Sequence, residues 1–226
     1  YRPVLDQLAK LRFNRILAYV WPHQPFLDYT SGGISRRTSS MFFGFHFPVT
    51  ADMPARRLFG SEREFHNPDL PANGNYQATY QAARNHLTAL MAYARERGMS
   101  CVLGLTAAEF PPEFAPLFEN PQKIHQVGEQ TIIPGSATPP DDPALLHLAQ
   151  AVLDSAVRTY PDAEYLDLGM QEWRQWSGHA QRAWNALDNT YRLGGAGALD
   201  GILHAARNRV NYYGADRAEA EVRGDL

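Results

Sequence analysis

An α/β fold, a portion of a (β/α) TIM-type barrel, is predicted by three observations. A unit of helical stretch, short apolar run and loop recurs three times along the chain. Each run is short, mostly apolar and preceded by an amphipathic helix, the pattern of parallel strands covered by helices. Two of the runs are followed by long loops, and in such barrels the loops after the strands build the active-site face.

The first unit places Leu5, Leu8, Leu11 and Phe13 ahead of an apolar run over residues 15–21 (RILAYVW). In the second, residues 80–97 carry Ala83, Leu87, Leu90, Met91 and Ala94 at helical spacing and stop at Gly98, a C-cap residue. A strand over 100–106 (SCVLGLT) follows. In the third, residues 143–160 carry Leu145, Leu148, Val152 and Val157, with Pro143 at the start and Pro161-Asp162 at the end. The strand then begins at residue 165 (YLDLG). Helices are expected over 179–191 and 199–213, with no strand after them. Residues 22–75 and 107–142 are long loops, of a length that is functional or carries small structure of its own. A small hairpin is expected within 36–47.

The alternation alone fits a doubly wound open sheet as well. No Gly-rich phosphate fingerprint follows any of the strands, which argues against a dinucleotide-binding sheet. A complete barrel takes about 250 residues, and this chain has 226. It opens inside a helix, so a strand is expected upstream and the visible strands would be the second, third and fourth. The chain is read as a single barrel domain, 1–226, with 22–75 as a loop insertion.

Net charge is −3 and the pI about 6.2, which excludes the basic footprint of a nucleic-acid binder. Lys10 and Lys123 are the only lysines, a bias that reflects genome base composition more than function. Cys101 is the only cysteine, so no intrachain disulfide forms and the compartment is not legible. No apolar run reaches the roughly 18 residues of a membrane span. Neither a nucleic-acid nor a membrane partner is expected.

Chemistry concentrates at the strand ends. Glu172 follows the third strand, where a carboxylate would point into the mouth of a barrel, and Trp173 and Trp176 come directly after it. Sugars offer flat C–H faces to aromatic rings and hydroxyls to carboxylates. The competing reading is a helix-start Glu favoured by the macrodipole, with tryptophans in the core. Glu109 holds the equivalent place one unit earlier, and Glu113 reads as the first turn of a short helix. Trp21 and His23 end the first strand; a lone His is more often a structural hydrogen-bonder. Arg56, Arg57, Glu64, His66, Asn67 and Asp69 lie in a loop that could reach over the site, and 65–69 (FHNPD) also reads as an Asx-Pro turn. The eight histidines show no HxH or HExxH spacing. Metal binding is therefore weakly supported, though Glu109, Glu172 and His23 could assemble a site across strand ends. Nucleophilic serine chemistry has no GxSxG, and Ser136 reads as a loop residue. No cofactor is expected.

Residues 8–17 (LAKLRFNRIL) resemble the passage from helix to second strand in TIM-barrel glycoside hydrolases of the β-hexosaminidase and α-glucuronidase type. Residues 93–102 (YARERGMSCV) are similar to their entry to the third strand. Tyr160-Pro161-Asp162, with the strand leading to Glu172, resembles their fourth strand, which ends in the general acid. The resemblance covers about two-thirds of the chain in scattered pieces and is at the level of the clan. It implies that Glu172 is the acid; Glu109, from its place at the preceding strand end, could bind a hydroxyl or hold Glu172. Trp21, His23, Trp173 and Trp176 would shape the sugar subsites, joined by the loop residues Arg57 and His66. β-Hexosaminidases carry Asp-Glu at that strand end, and the Asp orients the substrate acetamide. The pair here is Gln171-Glu172, nearer in kind to the Asn-Glu of many retaining barrel glycosidases. Their nucleophile lies on a later strand, so a further segment of the same barrel outside this chain is expected to supply it. Two rival functions stay open: a non-catalytic carbohydrate-binding barrel, and a metal-dependent sugar isomerase or aldolase.

Overall fold

The computed structural model describes residues 1–39, 47–53, 56–65, 75–106, 108–124, 130–169, 176–208 and 215–225. Helix α1 (Arg2–Lys10) leads into β1 (Arg15–Tyr19). The first loop carries two short antiparallel pairs, β2 (Thr30–Ser31) with β3 (Ile34–Ser35), and β4 (Phe47–Pro48) with β5 (Glu64–Phe65). Next come α2 (Tyr76–Arg95) and β6 (Ser100–Thr106), then a hairpin of β7 (Gln122–Ile124) and β8 (Thr131–Ile133). The third unit is α3 (Pro143–Thr159) and β9 (Tyr165–Gly169), and α4 (Ala180–Tyr191), α5 (Gly195–Asn208) and α6 (Ala215–Asp225) follow.

Local signals explain most boundaries. Asn75 caps α2 by accepting a hydrogen bond from the Ala78 N–H at 2.9 Å, so the helix starts four residues before its apolar spacing does. Gly98 takes φ +74 behind it, a left-handed conformation that suits glycine. Asp142 caps α3, accepting from Ala144 and Leu145, and Pro143 needs no N–H in the first turn. The β2–β3 pairing lies at 30–35, upstream of the expected hairpin, and most of residues 36–47 lie outside the described residues.

β1, β6 and β9 form one parallel sheet in the order β1-β6-β9. The register sets Ile16 beside Cys101, Leu103 beside Leu166, and Gly104 beside Asp167. Strand side chains alternate between faces. Cys101, Leu103 and Leu105 are buried on the helical face, with Ile16 and Ala18 packed beside them. Helix α2 meets this layer with Ala83, Leu87, Met91 and Ala94, and α3 with Leu145, Leu148, Val152 and Ala156. Each large apolar side chain so buried contributes about 1.5–3 kcal/mol. The opposite face is uncovered. Leu17 is 55% exposed and Tyr165 49% exposed, with the Arg15 guanidinium 4.5 Å from the centre of the Tyr165 ring.

The observed fold is thus α/β, with consecutive parallel strands and helices against them. Among the described residues no strand pairs with the outer edge of β1 or β9, and no closed barrel forms. α4, α5 and α6 bury a small second cluster of Trp184, Leu199 and Leu203, against which Val222 packs. Trp184 Nε1 donates to the Gly195 carbonyl at 2.8 Å. Among the described residues no helix is long and apolar enough to cross a membrane.

Candidate functional site

Because the three strands are parallel, Tyr19, Thr106 and Gly169 end at the same edge of the sheet. The Val20 N–H extends the first pairing by donating to the Gly104 carbonyl at 2.8 Å. Trp21 follows and stays 47% exposed, its ring centre 5.0 Å from that of Tyr19 with the planes inclined at 58°. On β6 the exit is fixed by a bridge between Phe110 and Ile132, whose N–H groups and carbonyls exchange bonds at 2.9 and 2.7 Å. That bridge holds Glu109 where the strand ends, 7% exposed.

Trp21, Gln24, Arg36, Thr106 and Glu109 line one cleft above the ends of β1 and β6. Its enclosed space is about 20 Å³, enough for a water molecule and far too small for a sugar ring. Thr106 Oγ1 is buried without a hydrogen-bond partner among the described residues.

The first loop is fastened over the strand ends by buried polar groups. Arg36 is 4% exposed. Its Nη1 donates to the Leu27 carbonyl at 2.9 Å. Its Nη2 lies 2.6, 3.0 and 3.1 Å from the carbonyls of Pro22, Gln24 and Thr38. Its guanidinium also sits 5.4 Å from the centre of the Tyr29 ring. Tyr160 and Ser155 on or next to α3 donate to the carbonyls of Phe26 and Asp28 at 2.7 and 2.8 Å. Tyr76 of α2 donates to the Leu27 carbonyl at 3.0 Å.

Glu113, 6% exposed, belongs to this scaffold. One carboxylate oxygen accepts from the Arg37 and Thr38 N–H groups at 2.7 and 2.9 Å, and the other accepts from the Thr38 hydroxyl. Burial alone would raise its pKa, but these hydrogen bonds outweigh burial and hold it below the ordinary value. Its folded value is depressed, so it contributes stability above pH 4.5, its ordinary pKa, and the contribution is lost as pH falls through the folded value. Glu113→Gln should cost about 2 kcal/mol near pH 7 and flatten the acid limb of stability against pH. Urea titrations at pH 7 and pH 3 check both; equal losses at the two pH values would contradict the assignment.

His23 is 3% exposed and does not face the cleft. Its Nδ1 lies 3.2 Å from Thr131 Oγ1 on β8, and Nε2 is buried without a partner among the described residues. Burial first, and the Arg36 charge second, lower its pKa to about 4, so the imidazole is neutral at pH 7.

Of the residues singled out in the sequence, Trp21 and Glu109 share the cleft, with His23 buried behind it. Trp176 packs on the core, its Nε1 donating to the Thr138 carbonyl at 2.7 Å. Arg57 is exposed in a 3-10 turn over Arg56–Phe59. Glu172, Trp173, His66, Asn67 and Asp69 lie outside the described residues. Among the described residues no group of three or more His, Cys, Asp or Glu is placed to hold a metal ion. The structure adds Tyr19, Arg36 and Thr106 to this end of the sheet. Tyr19 was missed, although its place two residues before Trp21, on the same face of the extended chain, could have found it; Arg36 carried no such signal. Comparison with protein-family models, curated proteins and solved structures gives no match.

Proposed function

We propose that this chain is a portion of a (β/α) barrel of a glycoside hydrolase-like protein that acts on a carbohydrate. The observation that supports it best is one-sidedness. β1 and β6 are backed by helices on one face and open on the other, while Leu166 and Leu168 of β9 are exposed on the helical side as well, and the Tyr19 and Trp21 rings and the Glu109 carboxylate stand near the shared carboxyl end. In a barrel the open face is the interior, and further parallel strands of the same barrel would pair with the free edges of β1 and β9. Trp21 supplies a ring for a sugar face, and Glu109 a carboxylate for a hydroxyl. Glu172, three residues beyond Gly169, is the proposed general acid. It would give its proton to the glycosidic oxygen as the C–O bond breaks, while a second carboxylate acts on the other side of the sugar ring.

The test is calorimetric titration of the 226-residue chain with cellohexaose, xylohexaose, chitohexaose and hexagalacturonate. Binding of at least one, with a change in tryptophan fluorescence, is expected; no heat and no fluorescence change with any of the four would overturn the carbohydrate reading. Where a bound oligosaccharide is also cleaved, Glu172→Gln should lower kcat by about 10²–10⁴-fold with little change in Kd. Unchanged cleavage would remove Glu172 from the acid role. Binding by wild type and variant alike, with no turnover even in a longer form of the protein that carries the further strands, would favour a carbohydrate-binding barrel.

A further inference from the structure

The uncovered sheet face holds one aromatic side chain in a seat made for it. Tyr19 on β1 lies across two glycines of the neighbouring strands. A Cβ added to Gly104 would fall 2.4 Å from Tyr19 Cδ2, and one added to Gly169 would fall 2.5 Å from the Tyr19 hydroxyl oxygen. Glycine inside a strand weakens it and commonly marks a place where another group approaches closely. Here the approaching group is the phenol, and the pair Gly104 and Gly169 fixes how it crosses the sheet. Its hydroxyl reaches the end of β9 and makes no hydrogen bond to a described residue. The Trp21 ring stands beside it, inclined at 58°.

We infer that Tyr19 is a ligand-contacting residue that selects for a pyranose ring, its phenol donating a hydrogen bond to a sugar oxygen above the carboxyl end of β9. This rests on the carbohydrate reading and adds a residue to it. Two inclined rings form a corner for the C–H face of a pyranose, and the phenol supplies the directed polar contact that a stacking ring alone lacks. Its partial burial first, and the charges of Glu109 and Asp167 second, raise the phenol's pKa, so it serves as a donor. The glycine seat holds the ring before ligand arrives, which lowers the entropic cost of binding.

The competing role is packing alone, with Tyr19 only covering backbone that the glycines leave bare. Tyr19→Phe separates the two, because it keeps the ring and removes the hydroxyl. With the hexasaccharide that the wild type binds most tightly, Tyr19→Phe should raise Kd by about tenfold at an unchanged urea midpoint. Gly104→Ala, which displaces the ring, should weaken binding at least as much. A Tyr19→Phe variant that binds within twofold of wild type would overturn the inference and leave the carbohydrate reading standing. A wild-type chain that binds none of the four hexasaccharides would overturn both. If Gly104→Ala fails to fold, Tyr19→Phe alone decides.

Discussion

Arg36→Met should lower the unfolding free energy by about 3–5 kcal/mol, a large share of the total for a chain of this size. The side chain is 4% exposed, and its two terminal nitrogens reach the carbonyls of Pro22, Leu27, Gln24 and Thr38. Methionine fills similar volume but donates nothing, so carbonyls away from water lose their partners, each at about 1–3 kcal/mol before relaxation. Lysine should rescue little, because one ammonium cannot span acceptors that the flat guanidinium fork reaches together. Urea unfolding of wild type, Arg36→Met and Arg36→Lys measures this. A loss below 1 kcal/mol in Arg36→Met would show that the loop is held by its other fastenings, the bonds from Tyr76, Ser155 and Tyr160.

Stability should fall by about 3 kcal/mol as pH drops from 6.5 to about 4, through His23 alone. The ordinary pKa is 6.5 and the folded value about 4. Between them the unfolded chain binds the proton and the folded chain does not, so acid favours unfolding. Above 6.5 both states are neutral and the effect vanishes. The cause is first the burial of a ring whose Nε2 has no partner among the described residues, then the nearby Arg36 charge. His23→Leu should remove this slope, while the Glu113 contribution at lower pH persists. Chemical denaturation at half-unit steps between pH 4 and pH 7.5 reads it. Identical slopes in wild type and His23→Leu would mean that the imidazole is hydrated in the folded state.

His23 also shows where sequence reasoning stops. Two residues beyond Trp21, it reads as a mouth residue beside the tryptophan. What buries it is the β7–β8 hairpin, whose Thr131 lies 108 residues away, and nothing near His23 announces that contact. Arg36 is a similar case: its partners are backbone carbonyls on both sides of a loop, and carbonyls have no residue signature. The parallel strands were legible because each short, mostly apolar run follows a helical stretch, and α2 and α3 because their buried residues repeat at helical spacing. Glu109 was legible as a strand-exit carboxylate because β6 ends where its apolar run ends. The start of α2 was not, since its first turn carries a cap and no apolar stripe. Gly104 and Gly169 are plain in the sequence, but their meaning appears only when the register sets them beside Tyr19.

The central claim is that ligand meets this chain at the carboxyl end of its parallel sheet. Amide chemical-shift mapping of the 226-residue chain, titrated with the hexasaccharide that binds it, addresses this directly. The account predicts that the largest shifts fall on Tyr19, Trp21, Gln24, Thr106, Glu109 and Gly169. Shifts confined to the opposite end of the sheet, at Arg15, Ser100 and Tyr165, or to the cluster of α4, α5 and α6, would contradict it.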